Sequence, residues 1–262
     1  MNADADRAVL AGRRILITRD PERAASLRAR LEALGADVVV APVTATVPGD
    51  TDALDAAVAG LERFAWVAVT SVNAVSQLRA SVERVGASVA GPGVQWAVVG
   101  PATRRAVEAL GVHVGLEPDE HSAAGLVEAF AKLGPSSSES ARVLVPQGDL
   151  ASGTLVAGLR TLGFAPHVVI AYRVVPCEIP GDVRQAWTDG EIDAVVLAAG
   201  SAVREIARQL GARADVAVVA IGEPTAAEAR AAGLRVDAVA SKPTDDELVE
   251  AILGAVGSHF VG

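Results

Sequence analysis

The sequence predicts an α/β protein built from two parallel-sheet domains that are related by internal duplication. Short Val/Ile/Leu runs bounded by turn residues alternate with amphipathic helical patterns, which is typical of parallel strands covered by helices. RILIT at 14–18 matches RVLVP at 142–146, and VGPATRRAVEALG at 99–111 matches IGEPTAAEARAAG at 221–233. The offset between matching residues is 128 in the first pair and 122 in the second. Because apolar positions, glycines and helix starts recur together, we interpret the chain as two copies of one unit.

Each copy has strands and helices in the same order. Four apolar runs of the first copy predict buried strands at 15–18, 38–41, 67–70 and 97–99. The pattern at 21–34 predicts a helix with Asp20 as its N-cap and Gly35 after its end. Ser122 and Thr244 stand at equivalent helix starts. Ten strand candidates in two sets of five predict two flavodoxin-like sheets.

Two ways of dividing the chain into domains are open. A tandem cut would use the Ser-rich segment GPSSSES at 134–140 as the linker. A swapped cut would use two proline-containing extended segments as a two-stranded linker. It gives a discontinuous domain of 1–43 plus 176–262, a continuous domain of 46–172, and linkers near 43–48 and 172–180. Both cuts bury the same faces, so periodicity does not choose between them.

Composition excludes several classes of protein. The formal net charge is −9 and the chain has no Lys/Arg cluster, whereas nucleic-acid binders usually have a basic face. The single cysteine, Cys177, excludes an internal disulfide and a thiolate-clustered metal site, and it fits a reducing compartment. The acidic start is not a secretory signal, and no run approaches the roughly 20 apolar residues of a membrane span. We therefore expect a cytoplasmic protein without nucleic-acid or membrane partners.

Common motifs of cofactor binding and covalent catalysis are missing from the sequence. It has no G-x-x-x-x-G-K-[ST] phosphate loop, and no G-x-G-x-x-G opens a helix after the first strand. It has no G-x-S-x-G nucleophile elbow. The histidines lack metal-ligand spacing, and we expect them on the surface or at strand ends; they are His113, His121, His167 and His259. The sequence therefore predicts neither a metal nor a cofactor.

Polar residues and glycines follow the predicted strands, at the edge where open α/β sheets bind ligands. Helices begin there, so free backbone N–H groups and the helix dipole favour an anion. The simpler interpretation is that the Ser and Thr residues are N-caps. Because such positions occur in both copies, we favour a polyanionic ligand held between two domains. The candidate ligand-binding residues are Arg19, Thr70, Ser71, Asn73, Gly100, Thr103, Gln147, Gly148, Gly222 and Thr225.

Tyr172, the only tyrosine, aligns with Pro42 of the first copy and lies where one predicted linker begins. Its ring could simply pack against the linker. Alternatively, its phenol could donate a proton to a ligand. The residues alone leave both interpretations open.

Taken together, these residues resemble the uroporphyrinogen-III synthase family, over nearly the whole chain. The resemblance rests on the order of ILITR (15–19), VTSVNAV (69–75), VGPAT (99–103), VVIAYRVV (168–175) and AIGEPTAAEA (220–229). The chain departs from the family where the second copy usually carries a Thr-Ser pair, because it has Ala198 and Ala199 instead. Backbone contacts at Gly200 and contacts of Ser201 would have to substitute for the missing hydroxyls.

The resemblance implies two α/β domains joined by a two-stranded linker, which favours the swapped cut. It implies an enzyme that dehydrates and cyclises hydroxymethylbilane, a linear tetrapyrrole with eight carboxylates, and inverts the last pyrrole ring. No cofactor is implied, the substrate would be held largely by backbone amides, and Tyr172 becomes the candidate acid. We expect a monomer, with Arg19 and Arg173 near the ligand. The alternative is a non-catalytic two-domain module that senses or binds a small ligand.

Overall fold

A computed structural model describes residues 3–89, 93–133 and 142–260 of the protein, so the Ser-rich segment of the tandem cut lies outside the described residues. The strands are β1 Arg14–Ile17, β2 Asp37–Val40, β3 Thr44–Pro48, β4 Trp66–Val69, β5 Gln95–Val98, β6 Arg142–Gly148, β7 Ala165–Pro176, β8 Ala194–Leu197, β9 Ala217–Ala220 and β10 Ala238–Val239. The α-helices are α1 Ala3–Leu10, α2 Pro21–Ala33, α3 Thr51–Ala59, α4 Val72–Val85, α5 Pro101–Glu108, α6 Ala123–Leu133, α7 Thr154–Thr161, α8 Gly181–Thr188, α9 Gly200–Gln209, α10 Glu223–Ala231 and α11 Asp245–Phe260. A short 3₁₀ helix occupies Leu61–Arg63. No helix among these described residues is long and apolar enough to cross a membrane.

The strands form two five-stranded sheets with related topology. One sheet has the order β2-β1-β8-β9-β10, and the other has β3-β7-β6-β4-β5. The first sheet has the flavodoxin strand order 2-1-3-4-5. In the second sheet, β7, β6, β4 and β5 occupy the positions of the first four strands of that order, although they follow one another differently along the chain. An isolated parallel bridge between Ala97 and Leu116 lies beside β5, where β10 lies in the first sheet. The predicted α/β fold with parallel sheets is confirmed.

Each sheet combines strands from both sequence copies. The repeat offsets make β1 equivalent to β6, β2 to β7, β4 to β8 and β5 to β9. The first sheet therefore takes β1 and β2 from the first copy and its other strands from the second copy. The second sheet does the reverse with β6, β7, β4 and β5. Each sheet therefore contains strands from one half of each sequence copy.

The chain divides into two compact units, Met1–Ala45 with Val175–Gly262 and Thr46–Val174. The boundaries fall within β3 and β7, which are neighbours in the second sheet. Directly before β3 and directly after β7, the Cys177 N–H donates to the Val43 carbonyl at 2.9 Å. We propose that these units are the two domains of the swapped cut.

Apolar strands buried on both faces form the centre of each unit. All four residues of β8 and all four of β9 are buried, as the continuous apolar runs predict. In the second unit Phe130 packs edge-on against Trp66 and Phe164 at centroid distances of 5.2 and 5.4 Å, and the buried Phe64 and Trp96 belong to another core cluster. With so few aromatics, small and medium aliphatic side chains fill most of the core.

Local signals in the sequence predict the bounds of α2 closely and the ends of the strands less closely. The Asp20 side chain accepts a hydrogen bond from the Glu22 N–H, and Gly35 follows α2 with a φ of +89°. β1 ends at Ile17, one residue before the predicted end, and the Thr18 hydroxyl donates to the Val196 carbonyl at 2.8 Å. Gln147 and Gly148 were expected to follow β6, but they lie within it. Their pairing with β7 extends the strand through a register shift.

An ion pair with an added hydroxyl joins α3 to α4. Arg84 donates to both carboxylate oxygens of Asp55 at 2.7 and 3.0 Å, and the buried Ser81 hydroxyl donates at 2.6 Å. The hydrogen bond from Arg84 lowers the pKa of Asp55 below its ordinary value. A lowered pKa in the folded state means that ionised Asp55 stabilises the fold above the unfolded pKa, and that this stabilisation is lost as pH falls.

We predict that Asp55→Asn lowers the urea midpoint of the protein at pH 7 but has a shrinking effect in acid. The difference from the wild type should decrease below about pH 4, the ordinary range of an unfolded Asp, as the folded carboxyl also becomes protonated. Urea titrations between pH 7 and pH 3 measure this difference. Glu83→Gln, at an exposed position of α4, is the control and should show a smaller, flatter effect. A pH-independent difference for Asp55→Asn would contradict the prediction.

Candidate functional site

The second unit contains a polar cavity at the carboxyl ends of its strands. Its volume is about 390 Å³. β4, β5, β6 and β7 all contribute to its wall, because parallel strands end at the same edge of a sheet. The lining residues are Thr70, Ser71, Val99, His121, Ser122, Ala123, Gln147, Gly148, Leu150, Ala151, Ser152, Leu155, Tyr172 and Val174. Five of the residues singled out from the sequence meet here: Thr70, Ser71, Gln147, Gly148 and Tyr172.

Tyr172 and Ser71 form the central polar contact of this cavity. The Tyr172 hydroxyl donates to Ser71 Oγ at 3.1 Å. Ser71 is the N-cap of α4, and its Oγ also accepts from the Asn73 N–H at 3.1 Å. Ser71 therefore connects the phenol to the start of a helix of 14 residues, where the helix dipole is positive. The phenol is both half-buried and placed at the cavity wall.

Gly148 makes the space that the phenol occupies. In the β6–β7 pairing Gly148 stands opposite Tyr172, directly after the register shift. A Cβ atom at Gly148 would lie 2.6 Å from Tyr172 Cζ, 2.7 Å from Cε2 and 2.8 Å from the hydroxyl oxygen. Any larger residue would therefore displace the ring. Gly148 therefore makes room for the tyrosine ring and also lines the cavity, and the ligand contact predicted for it stays a prediction.

His121 also lines the cavity, although its sequence context predicted only a surface or strand-end position. Its ring lies over Gly100, where an added Cβ would come within 3.2 Å of His121 Cγ. Its Nε2 is 3.7 Å from Glu117 Oε1, while Glu117 Oε2 accepts a short hydrogen bond from Arg104 Nε. That hydrogen bond raises the pKa of Arg104 and keeps its guanidinium charged. The sequence signal nearest to His121 is the predicted helix start at Ser122. The Ser122 hydroxyl accepts a hydrogen bond from the Gly125 N–H.

The remaining candidates of this unit lie outside the cavity lining. Asn73 Nδ2 donates to Thr46 Oγ1 at 3.4 Å. Gly100 is the N-cap of α5, so it borders the site through the ring of His121. Thr103 is the third residue of α5 and is only 5% exposed. Its side chain belongs to the interior of the unit and does not contribute to the cavity wall.

The candidates of the first unit lie among acidic partners. Arg19 Nη1 pairs with Asp245 at 2.9 Å, and the Arg19 side chain is 13% exposed. The Glu228 carboxylate, which pairs with Arg204, lies where a Cβ of Gly200 would be. Gly222 caps α10, while Ser201 and Thr225 are half-buried and buried in α9 and α10. A ligand of Arg19 would have to compete with Asp245.

The two units have diverged at equivalent positions. Ser71 corresponds to Ala199, which caps α9 without a side-chain hydrogen bond. His121 corresponds to Pro243 at the offset of 122. At these two positions the first unit therefore lacks the polar side chains that line the cavity of the second. Within the described residues, no group of three or more His, Cys, Asp or Glu side chains could hold a metal ion.

Comparisons with known proteins agree with this architecture and confirm the resemblance seen in the motifs. A putative uroporphyrinogen-III synthase of Methanothermobacter thermautotrophicus is 28% identical over 200 residues, covering 75% of this chain and 78% of that protein. The uroporphyrinogen-III synthase of Synechococcus elongatus is 27% identical over 255 residues, covering 93% and 95%. A crystal structure of a mutant uroporphyrinogen III synthase from Thermus thermophilus matches in fold, with a TM-score of 0.68 at 19% identity over 94% of this chain and 100% of that chain. The family model described as uroporphyrinogen-III synthase HemD matches residues 25–250, and this protein therefore belongs to the uroporphyrinogen-III synthase family.

Proposed function

We propose that the protein is an active uroporphyrinogen-III synthase and that the cavity of its second unit holds the reacting end of hydroxymethylbilane. The observation that carries this proposal is the Tyr172 phenol, held 3.1 Å from Ser71 Oγ on the wall of a polar cavity. A phenol is a weak acid that can donate a proton to a leaving oxygen. Family membership supports the reaction, and the cavity supports the place where it occurs.

Loss of the hydroxyl group requires one proton at the leaving oxygen. The electron pair of the terminal pyrrole expels the hydroxymethyl oxygen, which leaves as water when Tyr172 donates its proton. The resulting phenolate needs a hydrogen-bond donor. Ser71 Oγ accepts from the Asn73 N–H and from the phenol, so among the described contacts its own O–H is available to turn and donate. The positive end of α4 stabilises the same charge.

Ring closure then depends on how the tetrapyrrole is held. Unassisted closure gives the symmetric isomer, so the enzyme must favour attack at the substituted carbon of the last pyrrole. The bond from that carbon to its original methylene bridge then breaks, and the methylene carbon bonds to the free α-carbon of the same ring. The proton lost from that α-carbon can return to the Tyr172 phenolate. A hundredfold preference corresponds to about 2.7 kcal/mol between the competing transition states. One or two hydrogen bonds to carboxylates, at roughly 1.5–3 kcal/mol each, can supply this difference when they form in one geometry only. The reaction needs positioning and one acid, and it involves no net oxidation or reduction.

We also propose that the protein acts as a monomer in the cytoplasm, with no nucleic-acid or membrane partner. The net charge of −9 opposes binding to nucleic acid or anionic membrane surfaces. The same charge opposes an octacarboxylate at long range. Screening over about 8 Å at physiological salt limits that repulsion.

The proposed activity predicts a change in product isomer. Purified protein incubated with freshly made hydroxymethylbilane should give the type III isomer after oxidation and chromatographic separation of the porphyrins. Buffer alone, run in parallel, gives the type I isomer. A type I product unchanged by the protein would overturn the assignment. Binding of the tetrapyrrole without any change in product would instead support the non-catalytic binding module.

A further inference from the structure

The charges around the cavity of the second unit are unusual for an acidic protein. None of the described residues that line it is an aspartate or a glutamate. Within that same lining, His121 is the one side chain that can carry a positive charge. A cavity that must receive part of an octacarboxylate benefits from both features, since a buried or half-buried carboxylate needs a charged or hydrogen-bonding partner.

The position of the His121 imidazole is set by its neighbours. Gly100 provides a flat surface beneath the ring, because a side chain there would contact Cγ and Cβ at 3.2 and 3.3 Å. Glu117, which is 16% exposed, places one carboxylate oxygen 3.7 Å from Nε2. Arg104 binds the other oxygen of Glu117. The imidazole thus lies beside a carboxylate that is also hydrogen-bonded to an arginine.

The other charged groups near His121 are exposed carboxylates outside the cavity lining. Asp119 and Glu120 precede it in the same loop, and both are exposed. The Ser122 hydroxyl donates to Glu120 Oε1 at 2.8 Å. Glu108 of α5 pairs with Arg104 at 3.3 Å, and Tyr172 is the titratable group that shares the cavity wall. Half of the His121 side chain remains exposed at 51%, so a ligand can reach the ring.

We propose that His121 binds a carboxylate of the tetrapyrrole, an inference that rests on the proposed function. The contact fixes one propionate or acetate side chain of the substrate relative to Tyr172. The equivalent position in the first unit is Pro243, which offers no such contact. His121 therefore contributes to substrate affinity and not to the proton transfer.

The test compares three variants of the protein in steady-state assays with hydroxymethylbilane. His121→Gln should raise KM about tenfold with kcat within twofold of the wild type, as expected when the imidazole is removed from a partly solvated contact. His121→Lys, which supplies a cation, should bring KM back to within about threefold of the wild type. His113→Gln removes a histidine of the same unit that does not line the cavity, so its KM should stay unchanged.

Affinity for uroporphyrin III, measured by fluorescence, gives a second readout that does not depend on turnover. The dissociation constant should rise about tenfold in His121→Gln and recover in His121→Lys. If His121→Gln behaves like His113→Gln, or lowers kcat while KM stays constant, the carboxylate contact is wrong. The proposed function has its own control in this experiment, because the wild type must yield the type III isomer. A wild type that yields type I refutes the function, whereas a working wild type with an insensitive His121 refutes only the contact.

Discussion

Tyr172→Phe is expected to lower kcat about a hundredfold or more while the product remains the type III isomer. A positioned general acid typically contributes about 10²- to 10⁴-fold, and phenylalanine removes only the hydroxyl that would donate the proton. The isomer should not change, because ring-closure geometry is set by contacts to the carboxylates. Steady-state assays with isomer separation measure both quantities.

The free energy of unfolding of Tyr172→Phe is the control for its kcat. The hydroxyl donates one hydrogen bond, to Ser71, so its loss should cost about 1 kcal/mol of unfolding free energy. A urea titration distinguishes this small effect from unfolding of the second unit. Full kcat in Tyr172→Phe would contradict the acid role, and the proton would then come from water or from a substrate carboxyl.

Gly148→Ala is expected to lower kcat between about tenfold and a hundredfold through the position of the phenol. An added Cβ would lie within 2.6 to 2.8 Å of three Tyr172 atoms, so the ring must leave its place beside Ser71. A displacement of about 1 Å can cost roughly a hundredfold in rate when an acid must reach one atom. The matched control is Gly181→Ala at the start of α8, where an added Cβ has no heavy atom within 4 Å. That control should keep its full rate.

A double variant separates an effect through the phenol from a general disturbance of the sheet. If Gly148 acts by placing Tyr172, Gly148→Ala should cost almost nothing once Tyr172 is phenylalanine and the acid is gone. Purely multiplicative effects of the two substitutions would contradict this role. An unchanged rate in Gly148→Ala alone would show that the ring can move without loss of function.

Much of the fold could be predicted because local physical signals were strong. The runs that became β8 and β9 are apolar throughout, as strands buried on both faces must be. Asp20 and Gly35 bracket α2 with side-chain capping and a positive φ. The sharing of each sheet between the two copies could not be predicted in this way. Equivalent strands such as β1 and β6 present the same faces, so either partner satisfies the sequence pattern.

The residues of the candidate site, too, could be predicted only where a local sequence pattern marks them. Ser71 and Tyr172 were predicted because hydroxyls at helix starts and a lone tyrosine are visible in the sequence, and they meet at 3.1 Å. Thr103 and Thr225 share a visible motif, yet both point into the interior at 5% and 7% exposure. His121 belongs to no motif, and its ring lies over Gly100, which is 21 residues earlier in the chain.

The sequence by itself determined the alternation of strands and helices and the set of polar residues at strand ends, because each depends on neighbours within one turn or one strand. It also determined the duplication, because the same residue pattern recurs at a nearly constant offset. Tertiary structure alone decided which copy supplies each half of a sheet. It also decided which strand-end residues share a cavity, and that Gly148 and Gly100 act by leaving room for a ring. Those outcomes depend on distances between residues far apart in the chain, which local periodicity does not contain.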